Sequence, residues 1–139
     1  MKLEHFDWKP EYELGVEAID DQHRHFAGLI DRILVEFRET SDLAYQERLI
    51  AELNAYARFH FISEENMMIR ANYPSYEQHK AHHRDLLDRL SAKEGKLAIE
   101  RSEQSKDGVV EYLVDWFLLH TTKEDRLFTD YLHQSNPGD

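Results

Sequence analysis

Between His60 and His83 the chain carries two pairs of ligand-type side chains at helical spacing, His60 with Glu64 and His79 with His83, joined by a turn at Tyr73-Pro74. Residues four apart on an α-helix share a face, with Cβ atoms about 5–6 Å apart, the reach two side chains need to hold one metal ion or a close pair. All four fall on stripes that are otherwise apolar. Leu49, Leu53, Tyr56, Ala57, Phe61, Met67 and Met68 share a face with His60 and Glu64, and Tyr76, Leu86, Leu87 and Leu90 share one with His79 and His83. The chain must therefore fold so that these groups are buried together and satisfied there.

Two further stretches meet that demand. From about Ile19 a helical stripe runs through His23, Phe26, Ala27, Ile30, Ile33, Leu34 and Phe37, which puts His23 on a buried face. Near the other end a heptad-like seam of Val110, Val114, Phe117, Thr121, Glu124, Phe128 and Tyr131 is flanked by His120 on one side and Asp125 on the other. Thr40-Ser41-Asp42 closes the first helix, Ser75 with Gln78 has the form of a capping box for the third, and the polar segment from Lys93 to Lys106 with Gly95 reads as the last loop. Short connections imply antiparallel neighbours. The expected fold is all-α, an up-down-up-down antiparallel four-helix bundle over about residues 18–133, with residues 1–17 as an extended N-terminal arm that Trp8 packs onto it. The length, 139 residues, suits a single domain over 1–139.

Composition narrows the function. No cysteine is present, so any metal takes nitrogen and oxygen ligands and no thiol nucleophile exists. The formal charge of −11 argues against nucleic acid and anionic membrane as partners. The first residues lack a signal-peptide pattern and no apolar run is long enough to span a bilayer, which points to the cytoplasm.

Each expected helix contributes to an inward set: His23, His60, Glu64, His79, His83, His120 and Asp125. A buried polar group without a partner costs a few kcal/mol, so this set unpaired would consume most of a typical net stability of about 5–15 kcal/mol. Such a set exceeds what one six-coordinate ion accepts. With both carboxylates bridging and a solvent oxygen shared, it fills roughly eleven of about twelve positions on two octahedral ions and leaves one open. The donors suit iron, zinc, copper or nickel, with octahedral demand leaning toward iron.

The order Trp8…Gly15-Val16…Ile19-Asp20-Asp21-Gln22-His23, His60-Phe61-Ile62-Ser63-Glu64-Glu65-Asn66-Met67-Met68, Tyr73-Pro74…His79…His83 and Trp116…His120…Asp125 resembles the hemerythrin family in its stand-alone bacterial form. The resemblance spans residues 6 to about 132. It implies two iron ions (Fe2+/Fe3+) with a bridging oxo or hydroxo group, one held by His79, His83 and His120, the other by His23 and His60, with Glu64 and Asp125 bridging. It further implies reversible binding of O2, end-on as a hydroperoxide at the two-histidine iron, by a carrier, store or sensor and not an enzyme. Phe26, Phe61, Trp116, Phe117 and Thr121 would line the O2 pocket. The alternatives are a di-iron enzyme handling peroxide or nitric oxide, and an iron or zinc store. The carboxylate-rich di-iron oxygenases use Glu-x-x-His, which this chain lacks.

At position 121 the family usually has an aliphatic residue. The Thr121 methyl is expected to fill that space while its hydroxyl bonds back to the Phe117 carbonyl; the alternative is that the hydroxyl, or a water it holds, reaches the bound ligand and hastens proton-assisted loss of peroxide. Leu86, where Phe is common, is expected to change only packing. His5, His25, His82 and His133 fall off the buried stripes and read as surface residues. Glu65 and Glu124, beside Glu64 and Asp125, are candidates to orient a ligand's ring N–H. A protein partner is left open.

Overall fold

The computed structural model describes residues 4–135, with side chains at 118–120 and 135 outside the description. A short 3-10 turn, Pro10–Tyr12, precedes α1 (Glu17–Glu39), α2 (Leu43–Arg70), α3 (Tyr76–Glu100) and a last long helix, in which α4 (Glu103–Asp115) continues through a π-helical turn (Trp116–Thr121) into α5 (Thr122–Ser135). No strand occurs among the described residues. Helix α1 packs on α2, α2 on α3, α3 on α4 and α4 back on α1, and the short connections make neighbours antiparallel. The protein is a four-helix bundle with up-down-up-down connectivity.

Helix ends follow local chemistry. Asp42 caps α2 by accepting from the Tyr45 amide at 3.2 Å. The C-terminus of α2 closes as a Schellman motif: Asn72 takes φ 56°, its amide reaches the Ile69 carbonyl, and the Tyr73 amide reaches Met68. Tyr131 from α5 then donates its hydroxyl to the Ala71 carbonyl at 2.7 Å, tying this turn to the last helix.

Three features differ from the sequence reading. Ser75 precedes α3 but makes no capping bond, because at φ −97° and ψ 20° it lacks the extended conformation that presents a hydroxyl to the first turn. The last loop is only Arg101-Ser102 rather than the span from Lys93 to Lys106. Helix α3 continues through Gly95 because Leu97, 1 % exposed, extends the stripe of Leu86 and Leu90, and its burial outweighs the roughly 1 kcal/mol a helical glycine costs. The capping box belongs to α4, where the Ser105 amide donates to the Ser102 hydroxyl and the Ser102 amide donates to that of Ser105.

The third difference concerns the face that the last helix buries. Val109, Leu113, Trp116, Phe117, Thr121, Asp125, Phe128 and Thr129 are buried, while Val110, Val114 and Glu124 of the expected seam are only partly so. A regular helix continuing from Val109 and Leu113 would bring 124 to the core. The wider π turn spends one extra residue and brings in Asp125 instead.

The apolar core is split in two. One cluster contains Phe26, Ile30, Ile33, Leu53, Phe61, Leu86, Leu113 and Phe117; the other contains Leu14, Ile19, Met68 and Phe128. On α1 the residue between them is His23, on α2 Glu64, on α3 His79 and His83, and on α5 Asp125. The polar groups thus form a layer sealed by hydrocarbon on both sides.

Candidate metal centre

The layer is positioned from the start of α1. The Asp20 carboxylate accepts the amides of Leu14 at 2.8 Å and Gly15 at 3.0 Å, which holds the arm's final turn, where Gly15 takes φ 85°. His133 reaches the same turn through the Leu14 carbonyl. His23 follows one turn after Ile19 and is fully buried, with its Nε2 2.9 Å from Asp125 Oδ2.

Two overlapping groups converge. His23, His60, Glu64 and Asp125 each offer one ligand-type atom, all within 4.8 Å of one another, and Glu64, His79, His83 and Asp125 do the same. Both groups are wholly buried and share both carboxylates. Glu64 Oε1 lies 3.0 Å from His79 Nε2 and 3.2 Å from His83 Nε2, while its Oε2 is 3.7 Å from His60 Nε2. Asp125 divides likewise, Oδ1 toward His79 at 3.0 Å and Oδ2 toward His23 and, at 3.6 Å, His60. Each carboxylate presents one oxygen to each group.

His23 and His79 hydrogen-bond Asp125, but the contacts to Glu64 are close without being well-formed hydrogen bonds. Among the described residues, both Glu64 oxygens, His60 Nε2 and His83 Nε2 are buried with no hydrogen-bond partner. Lone pairs of that kind, aimed at a common point and sealed from water, are what a cation completes. The residues present therefore fit a metal pair.

Without a cation, protons carry the balancing charge. Burial would lower the His79 pKa, but its bonds to Asp125 and Glu64 outweigh that and raise it from 6.5 to about 10. Burial would raise the Asp125 pKa, yet His23, His60 and His79 together hold it well below the ordinary carboxylate value.

Two of the other ring nitrogens are held from outside the layer. His83 Nδ1 donates to Glu65 Oε2 at 2.8 Å, and His60 Nδ1 donates to Gln22 Oε1 at 2.7 Å. The Gln22 amide is itself oriented, because its Nε2 donates to the Ser63 hydroxyl at 3.0 Å. Glu65 is thus the orienting carboxylate that the sequence left unchosen between Glu65 and Glu124. The role of Gln22 was not read from sequence at all, although its place beside His23 on α1 turns it toward α2.

A model of the hemerythrin HHE cation binding domain matches residues 14–132. The chain belongs to this family. It is similar to proteins named bacteriohemerythrin: 25 % identical to that of Clostridium acetobutylicum, covering 90 % of this chain and 99 % of the relative. Against the one from Stenotrophomonas maltophilia identity is 28 %, over 88 % and 78 % of the two chains. Against that of Pseudomonas aeruginosa PAO1 it is 26 %, over 96 % and 85 %.

Within this hemerythrin-family site, six of the seven residues singled out by sequence come together: His23, His60, Glu64, His79, His83 and Asp125. The side chain of His120 lies outside the described residues. Phe26, Phe61, Trp116 and Phe117 are buried beside the histidines: Phe61 stacks on His83 at 4.0 Å, and Phe117 meets His23 edge-on at 6.0 Å. Trp116 packs on Phe26 at 4.4 Å. Trp8 and Phe6 carry the arm onto Phe117 from outside, as expected of an arm laid across the bundle.

Thr121 departs from its expected role. It is 4 % exposed, yet its hydroxyl has no hydrogen-bond partner. In the π turn the Phe117 carbonyl accepts from the Thr122 amide, and the Thr121 hydroxyl does not join it. Of the remaining histidines, His5 bonds Asp31 and His25 packs on Tyr56, both from exposed positions. His82 is half-buried, lining with Tyr73, His79 and Glu124 a surface recess of about 110 Å³. No helix among the described residues is long and apolar enough to cross a membrane.

Proposed function

We propose that this protein binds dioxygen reversibly at a non-haem di-iron centre and serves as an oxygen carrier, store or sensor rather than as an enzyme. The observation that supports this best is the pair of overlapping buried groups that share Glu64 and Asp125. A shared carboxylate pair sets two ions side by side, and nitrogen-rich donors without thiolate suit iron. We assign His23 and His60 to one ion, His79, His83 and His120 to the other, and Glu64 and Asp125 to both. The iron pair, when bound, supplies electrons and one open coordination position to O2.

What the chain's own residues do is hold and exclude. His60 and His83 are locked in one orientation by Gln22 and Glu65, so each offers a lone pair to its ion without rearrangement. Phe26, Phe61, Trp116 and Phe117 wall the two-histidine end with hydrocarbon, which keeps water and protons from the bound gas and favours its release unchanged. Binding rather than turnover is supported by where the acids and bases sit. Within the layer, the described ones belong to the two ligand groups, leaving none there as a general acid or base.

The test is anaerobic reduction of the iron-loaded protein followed by O2 addition. The expected result is about two irons per chain and visible bands that appear with O2 and vanish on its removal. Fewer irons, or bands that form irreversibly, would overturn the reading.

A further inference from the structure

We propose that the Thr121 hydroxyl is a hydrogen-bond donor to the small ligand that occupies the His23/His60 end of the centre, favouring ligands whose outer atom carries negative charge. The proposal rests on the di-iron reading above and adds a residue that decides which ligands the site prefers.

Thr121 sits on the buried face of the last helix, one turn after Phe117 and one turn before Asp125. Both neighbours touch His23, Phe117 through its ring at 6.0 Å and Asp125 through Oδ2 at 2.9 Å. The same Asp125 oxygen lies 3.6 Å from His60 Nε2, so Thr121 stands between two residues that flank the two-histidine end. Thr121 closes the π turn, four residues after Phe117 and on the same buried face.

A buried hydroxyl is normally satisfied, most often in a helix by the carbonyl one turn back. This one is not: no described group, the Phe117 carbonyl included, reaches Oγ1. An unpaired donor kept in such a place is costly unless something that comes and goes pairs with it. The ligand is the remaining partner. A hydroxyl donates best to an anionic acceptor, so its contribution is greatest for a ligand that gains negative charge on binding and small for one that stays neutral.

The experiment uses the iron-loaded, oxidised protein and azide, a linear anion with an acceptor at its outer end. Azide is titrated by absorbance into wild type, Thr121→Val and Thr121→Ser, with iron content and melting temperature measured first without azide. Valine keeps the shape and removes the hydroxyl; serine keeps the hydroxyl. The expected result is two-iron protein in all three, azide binding weakened roughly tenfold to hundredfold in Thr121→Val and retained in Thr121→Ser, with no fall in azide-free melting temperature for Thr121→Val. Equal azide affinity in wild type and Thr121→Val overturns the proposal alone, and so does a Thr121→Val variant that melts lower, since the hydroxyl would then have a structural partner. A wild type that loads fewer than about two irons overturns the parent reading and this one with it.

Discussion

A histidine ligates through a ring nitrogen that carries no proton, so whatever holds the proton on the other nitrogen helps set metal affinity. Glu65 can only accept, which forces the proton of His83 onto Nδ1 and leaves Nε2 bare. Gln22 does the same for His60, provided Ser63 keeps its amide turned. His23 lacks such a partner, for its Nδ1 is buried without one. Gln22→Ala and Glu65→Ala should each weaken metal binding by about 10–100-fold, measured by competition with a chelator, while the helical content stays that of wild type. Unchanged affinity in both would show that the two contacts only pack. The ligand-type residues were legible at this scale because spacing of four on an apolar stripe is a local signal. The contacts of Gln22 and Glu65 were not, because each links two helices and depends on how those are turned. Thr121 was legible as a departure whose hydroxyl either bonds back to Phe117 or reaches the ligand; the back-bond does not form.

At the scale of elements, α1, α2 and the middle of α3 follow from periodicity, since each has an unbroken stripe. The last helix does not, because no composition rule marks Trp116–Thr121 as a π turn. Its extra residue is what turns Asp125 into the layer, which yields a specific test. Inserting one residue into α5 between Thr122 and Asp125 should rotate Asp125 by about 100° off the cluster and reduce iron from about two per chain to one or none. An insertion variant that still binds two irons would show that Asp125 need not face the layer. Arg101, at φ 49°, is a second such feature. Arg101→Gly should stabilise the protein by roughly 0.5–1 kcal/mol in urea unfolding, because glycine adopts this conformation at little steric cost and the Arg101 side chain bonds only its own helix end. The αL stop at Arg101 was missed because Gly95 gave a stronger break signal from within a helix that packing sustains.

For the whole molecule, a layer of buried charge between two apolar clusters couples stability to whatever neutralises it. A cation bound to the folded chain and not to the unfolded one stabilises by mass action, and it would draw on α1, α2, α3 and α5 at once, so its removal should lower the melting temperature of all four long helices together. In the metal-free chain the proton on His79 takes over part of that task. Its pKa is raised from 6.5 to about 10, so its contribution is fully present below pH 6.5 and is lost as pH rises through about 10. Asp125 works in the opposite sense: held below 3.8, it contributes above that pH and its contribution is lost on further acidification. The metal-free protein should therefore be most stable between about pH 4 and 6.5 and loosen steadily toward pH 10. With iron bound, the cation replaces the His79 proton, and the alkaline loss should disappear while the acid loss becomes steeper, since every ligand must then be protonated to release the metal. Melting curves from pH 5 to 10 for loaded and chelated protein measure both slopes. Curves that run parallel would mean that His79 does not exchange its proton for a metal, and would remove His79 from the assigned ligand set.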